Sequence, residues 1–94
     1  MIVTFEGSVP SLEDVDDFRR LKVVVAAGER PALDVVGRVD GDHVWLDRKW
    51  LVAHGRPDDP VWAHGFAAML AYAEKSGWID DDGAIRAHVE PDPA

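Results

Sequence analysis

Seven residues in two short segments have the types and the spacing to build a binding surface. The first segment runs from Val35 to Leu46, alternates on either side of Asp40-Gly41, and puts Arg38, His43 and Trp45 on one face together with Val36. The second, Trp78-Ile79-Asp80 followed by Ala84 through Glu90, puts Trp78, Arg86, His88 and Glu90 on one face. Indole rings offer flat apolar area, guanidinium groups match carboxylates and phosphates, and a His–Glu pair can move a proton. If both segments lie in one sheet with these faces on the same side, Arg38, His43, Trp45, Trp78, Arg86, His88 and Glu90 form one patch suited to a planar anion. The default use of such residues is plainer: an antiparallel sheet leaves one face polar and solvated, and Arg–aromatic pairs there serve cross-strand packing.

Other chemistries find less support. The four histidines (His43, His54, His64, His88) include no pair at the i, i+4 spacing of a helical zinc motif, and the chain has no cysteine. His54, beside Gly55, fits a helix C-terminus, and His64 fits an exposed helical position. Bringing His54, Asp58, Asp59 and His64 together would need the loop between them to fold back. Asp80-Asp81-Asp82-Gly83-Ala84-Ile85 echoes a calcium loop, but Trp78 and Val89 stand where its first Asp and closing Glu belong. Thr4, Ser8, Ser11, Tyr72 and Ser76 are the only side-chain hydroxyls, and none sits in a Gly-x-Ser-x-Gly elbow. No glycine-rich phosphate loop follows a strand, and the carboxylates gather at caps and turns where local backbone bonding accounts for them. The expectation is no catalytic constellation, no metal and no cofactor.

The elements that must hold the seven residues follow from turn and cap signals. Residues 2–6 alternate as a first strand. Ser11 reads as an N-cap with acidic residues behind it, and Leu12, Val15, Phe18, Leu21 and Val25 form a helical stripe, giving a helix to about residue 26 ended by Gly28. The β-branched run Val23-Val24-Val25 makes a strand start the alternative to that helix end. Gly28 to Pro31 is a loop. Asp40-Gly41 as a type I′ turn pairs Arg38 with His43 and Val36 with Trp45. Asp47 caps a short helix over 48–54 stopped by Gly55. Asp59 and Pro60 start a helix over 60–76 that Gly77 ends. The loop 81–83 then closes a second hairpin that pairs Ile79 with Ile85 and Trp78 with Arg86, leaving a frayed tail at 91–94. The predicted fold is a single small α+β domain over 1–90: a four- to five-stranded, mostly antiparallel sheet with two to three helices on one face. Its core is expected to include Phe5, Phe18, Leu21, Val35, Val44, Leu46, Trp62, Phe66, Met69, Leu70, Ile79, Ile85 and Val89.

Composition narrows the function. The chain has 94 residues, 47% of them apolar, with 18 Asp and Glu against 10 Lys and Arg, for a net charge of −8. A chain this small leaves much of its surface in water, so large side chains must build the core. The one basic run, Arg19, Arg20 and Lys22, is interleaved with Asp14, Asp16 and Asp17, which disfavours nucleic acid and anionic membranes. No signal-peptide pattern opens the sequence, so a cytoplasmic protein is expected. Abundant Ala, Val, Asp and Arg with scarce Lys suit a GC-rich bacterial genome. The first expectation is a non-enzymatic module that binds a protein partner or self-associates, anchored by Trp45, Trp78 and Arg86. A small-molecule binder or minor enzyme using the Trp/Arg/His face, with His88 and Glu90 handling protons, is the alternative. An acidic inhibitor of a basic protein site is a third class.

Overall fold

The computed structural model describes residues 1–26 and 31–91. Strands β1 (Ile2–Glu6), β2 (Val9–Glu13) and β3 (Lys22–Val25) come first. A 3-10 turn (Leu33–Val35) then leads into β4 (Gly37–Asp40) and β5 (His43–Leu46). Helices α1 (Arg48–His54) and α2 (Pro60–Lys75) follow, and β6 (Ile85–Pro91) returns to the sheet. All six strands form one sheet in the order β2-β1-β3-β6-β5-β4. The α+β class and single small domain stand, but the sheet is larger and more mixed than four or five mostly antiparallel strands. β3 runs parallel to both β1 and β6.

The largest departure from expectation lies in residues 9–25. Instead of a helix from Ser11, the chain turns at Gly7-Ser8 and β2 pairs back on β1, with Ser11 opposite Thr4 and Leu12 opposite Val3. A glycine at the first loop position, here with φ 64°, suits the tight turn that matches strand twist. Pro10 cannot donate to a ladder, and β2 is an edge strand, where that loss is tolerated. Val23, Val24 and Val25 are strand β3, as their β-branching favours. Of the stripe, Leu12, Phe18, Leu21 and Val25 do pack on the core, but from a strand, a loop and a second strand. Gly28, the expected helix stop, lies outside the described residues.

The 37–46 hairpin forms with a shifted register. Its loop is Gly41-Asp42, so Asp40 faces His43, Val39 faces Val44, Arg38 faces Trp45 and Gly37 faces Leu46. A type I′ turn at Asp40-Gly41 would need Asp40 at positive φ; Gly41 takes that conformation instead, at 61°. Each partner moves by two residues, an even step, so Arg38, His43 and Trp45 still share a face. Val36 does not join them: it precedes β4 and is fully buried, while Val35, expected in the core, is 52% exposed.

Of the three predicted helix starts, those at Asp47 and Asp59 are seen. Asp47 accepts from the Lys49 amide, and Asp59 accepts from the amides of Val61 and Trp62 ahead of Pro60. Val3, Val23, Val44, Leu46, Ile85 and Ala87 project from one sheet face into a common core with Leu51 of α1 and Trp62, Phe66 and Ala73 of α2. Phe5, Phe18, Leu21, Met69, Leu70, Ile79 and Val89 pack around it. Trp62 Nε1 donates to the Val15 carbonyl at 2.8 Å, and Phe18 lies against Trp62 and over Gly65, which ties the 14–21 loop to α2. Strand β6 includes Pro91, and the rest of the predicted tail lies outside the described residues. No helix among the described residues is long and apolar enough to cross a membrane.

Candidate functional site

β6 is a central strand, and its pairing with β5 joins the two predicted segments. His43 stands opposite His88, Val44 opposite Ala87, Trp45 opposite Arg86 and Leu46 opposite Ile85. The Val89 amide donates to the Asp42 carbonyl at 2.8 Å, which makes that pair hydrogen-bonded. By alternation His43/His88 and Trp45/Arg86 are the non-hydrogen-bonded pairs, where opposed side chains come closest. The His43 and His88 rings meet edge to face with centroids 5.1 Å apart.

Two rows of side chains therefore cross the outer face. One runs Arg38, Trp45, Arg86 and on to Trp78, whose carbonyl accepts from the Arg86 amide at 2.9 Å. The Arg38 guanidinium carbon lies 5.4 Å from the Trp45 ring centroid, and its Nη2 reaches Asp80 Oδ2 at 3.2 Å. Trp45 Nε1 donates to Asp40 Oδ2. The second row runs Asp40, His43, His88 and Lys22, with Lys22 Nζ 3.2 Å from Glu90 Oε2. All seven predicted residues thus lie on one continuous face, with Glu90 reached through β3 and Trp78 through the turn after α2.

Asp80 fastens the end of the first row. Its Oδ1 accepts from the amides of Asp82 and Ala84. Desolvation, the largest single influence on its carboxyl, pushes the pKa up. The Ala84 amide, the Arg38 guanidinium and the Asp82 amide together outweigh it and hold the group below 3.8.

Five of the seven, His43, Trp78, Arg86, His88 and Glu90, line a groove of about 620 Å³ walled by Phe18, Met69 and Tyr72. That volume is in the range of small-molecule sites. Arg38 and Trp45 stand beyond its rim. The groove also takes Arg19, Arg20 and Lys22, so four of the chain's ten Lys and Arg face it with one of its 18 carboxylates, Glu90. Among the described residues, Glu90 is paired with Lys22, while Arg19, Arg20 and Arg86 form no salt bridge; the only polar side-chain contact of Arg86 is a long one to His43 Nδ1 at 3.4 Å. A second, more open groove of about 1040 Å³ opposes Asp14, Asp16 and Asp17 to Arg19, Arg20 and Arg56, with Arg56 bound to Asp16 at 2.7 Å. Arg19 and Arg20 line both grooves, and here three carboxylates stand against three guanidinium groups, so this groove offers an anion less.

Sequence reasoning missed Arg19, Arg20 and Lys22 as site residues. The signal was the single basic run in the chain, set aside because Asp14, Asp16 and Asp17 are interleaved with it in the sequence. The remaining histidines stay apart: His54 stacks on Trp50 and bonds its carbonyl, and His64 is exposed on α2. Compared with known protein families, with curated proteins and with solved structures, the chain has no significant match.

Proposed function

We propose that the protein binds a small organic anion with a flat apolar body in the groove bounded by the 18–22 segment, α2, Trp78 and β6. The observation that carries this reading is the charge inversion: a chain of net −8 concentrates four cations around one groove and leaves Arg86 without a carboxylate partner among the described residues. A carboxylate or phosphate takes the guanidinium groups of Arg86 and Arg20, since charge-assisted bidentate pairs are the strongest hydrogen bonds available there. The flat body lies against Trp78, which Tyr72 holds edge to face at 5.8 Å. His88 beside Lys22 and Glu90 sets the inner end. The reading is of binding without turnover.

The test is a tryptophan-fluorescence titration with benzoate and phenyl phosphate, run against neutral benzamide and benzyl alcohol. The anions quench saturably and the neutral compounds do not. Arg86→Ala weakens the anions by about 10-fold, as loss of a hydrogen bond to a charged group would. Trp78→Phe removes most of the signal change. Equal response to anions and neutrals would sink the reading.

A second reading is self-association through β4. This edge strand carries Val39, 47% exposed, and follows Val35, 52% exposed, and the unpaired backbone groups of a sheet edge can take another strand. A second copy of the chain pairing there would make thermal stability rise with protein concentration, and Val39→Lys would abolish that dependence.

A further inference from the structure

We propose that Asp42, His43 and His88 form a site for one divalent transition-metal ion, zinc being the best fit. One ligand atom from each residue lies within 4.8 Å of the others. Asp42 Oδ1 is 2.8 Å from His43 Nδ1, and Oδ2 is 3.9 Å from His88 Nδ1, so the carboxylate already faces both rings. Ligand atoms around zinc stand roughly 3.3 to 3.5 Å apart, given metal–ligand distances of about 2.0–2.2 Å. Closing the set to that size takes about an ångström of side-chain rotation, which the exposed Asp42 and half-exposed His88 can supply.

The backbone supplies the rest. His43 and His88 are a directly opposed, closely spaced pair, and the Val89-to-Asp42 hydrogen bond fixes the turn residue beside them. Two of the three ligands are therefore set by the ladder rather than by a loop. Two imidazoles and one carboxylate suit zinc, cobalt, nickel or copper; calcium and magnesium favour all-oxygen sets. The contact between Arg86 and His43 Nδ1 gives way when that nitrogen takes a metal, which frees the guanidinium for the groove. The fourth coordination position falls to water or an anion. The site stands without the organic-anion reading, and its test contains no organic anion, so either can fail alone.

The test is isothermal titration calorimetry of the full chain with zinc chloride alone at neutral pH, repeated with cobalt chloride followed by absorption spectroscopy. One ion binds per chain, with a Kd of about 10 μM or tighter. His43→Ala and His88→Ala each weaken binding by about 30-fold or more, and Asp42→Asn by about 10-fold, while circular dichroism shows each variant folded. The double variant His54→Ala, His64→Ala binds as the parent does. Absence of binding up to millimolar zinc, unchanged affinity in His88→Ala, or loss of binding in the His54/His64 double variant would each overturn the proposal.

Discussion

The two faces of the β5–β6 ladder are built from the same eight residues taken alternately, and they do opposite things. Val44, Leu46, Ile85 and Ala87 are all 2% exposed or less and fill the core under α1 and α2. His43, Trp45, Arg86 and His88, one residue out of phase, stay half-buried or exposed on the outer side. Core packing rewards apolar volume and punishes gaps, so the inner four are aliphatic. Nothing in the fold requires two opposed histidines and an arginine beside a tryptophan on the outer four. Serine or threonine would satisfy a solvated sheet face equally well, and the proposed binding function is what gives the outer choice a use beyond cross-strand packing.

Truncating the inner face should have the largest effect. Leu46→Ala, at a fully buried site, is expected to cost about 2–5 kcal/mol in urea denaturation, with no specific effect on ligand affinity in the fraction still folded. Next comes the packing that links the groove wall to the core. Gly65→Ala puts a methyl into the Phe18 ring and should cost about 1–3 kcal/mol by overpacking, while also weakening anion binding, because Phe18 lines the groove. A loss of stability with intact affinity would show that the 14–21 loop is not part of the site. Asp59→Ala, which removes the cap of α2, should cost about 1 kcal/mol in the same assay. Outer-face truncation comes last on stability: Arg86→Ala and His88→Ala should each stay within about 0.5 kcal/mol of the parent. A much greater cost from His88→Ala would erase the contrast between the faces.

Acid gives a smaller and directional effect. The folded pKa of Asp80 lies below its ordinary value of 3.8, so its contribution is complete above that value and fades as pH falls through the lower folded pKa. Asp80→Asn should therefore flatten the acid limb of the stability curve below pH 3.8 and leave the neutral region's pH dependence alone. Thermal melts from pH 2 upward, about two units on either side of that limb, would read it.

How much of this was readable from the residues depended on whether the signal was local. Asp47, Asp59-Pro60 and the 80–84 turn are local devices, and they place α1, α2 and the start of β6 as expected. The 37–46 hairpin kept its faces despite the moved turn, because the shift was an even number of residues. Residues 9–25 failed for the opposite reason. Leu12, Val15, Phe18, Leu21 and Val25 carry a helical spacing, but Val3 is the partner that Leu12 meets, and only the Gly7-Ser8 turn announces it. The parallel pairing of Val23 with Val89 spans most of the chain and has no turn to signal it. The groove inherits this division: Trp78, Arg86, His88 and Glu90 were found on β6 and the turn before it, while Arg19, Arg20 and Lys22 were lost with the misread segment.

The central claim, that the groove bounded by the 18–22 segment, α2, Trp78 and β6 is a binding surface for organic anions, is met most directly by a two-dimensional amide NMR titration with phenyl phosphate. Saturable shifts concentrated on Lys22, Arg86, His88 and the Trp78 indole, with the inner-face amides of Val44 and Leu46 unmoved, are the predicted result. Shifts that are absent at millimolar ligand, or that gather around Asp16 and Arg56 instead, would contradict it.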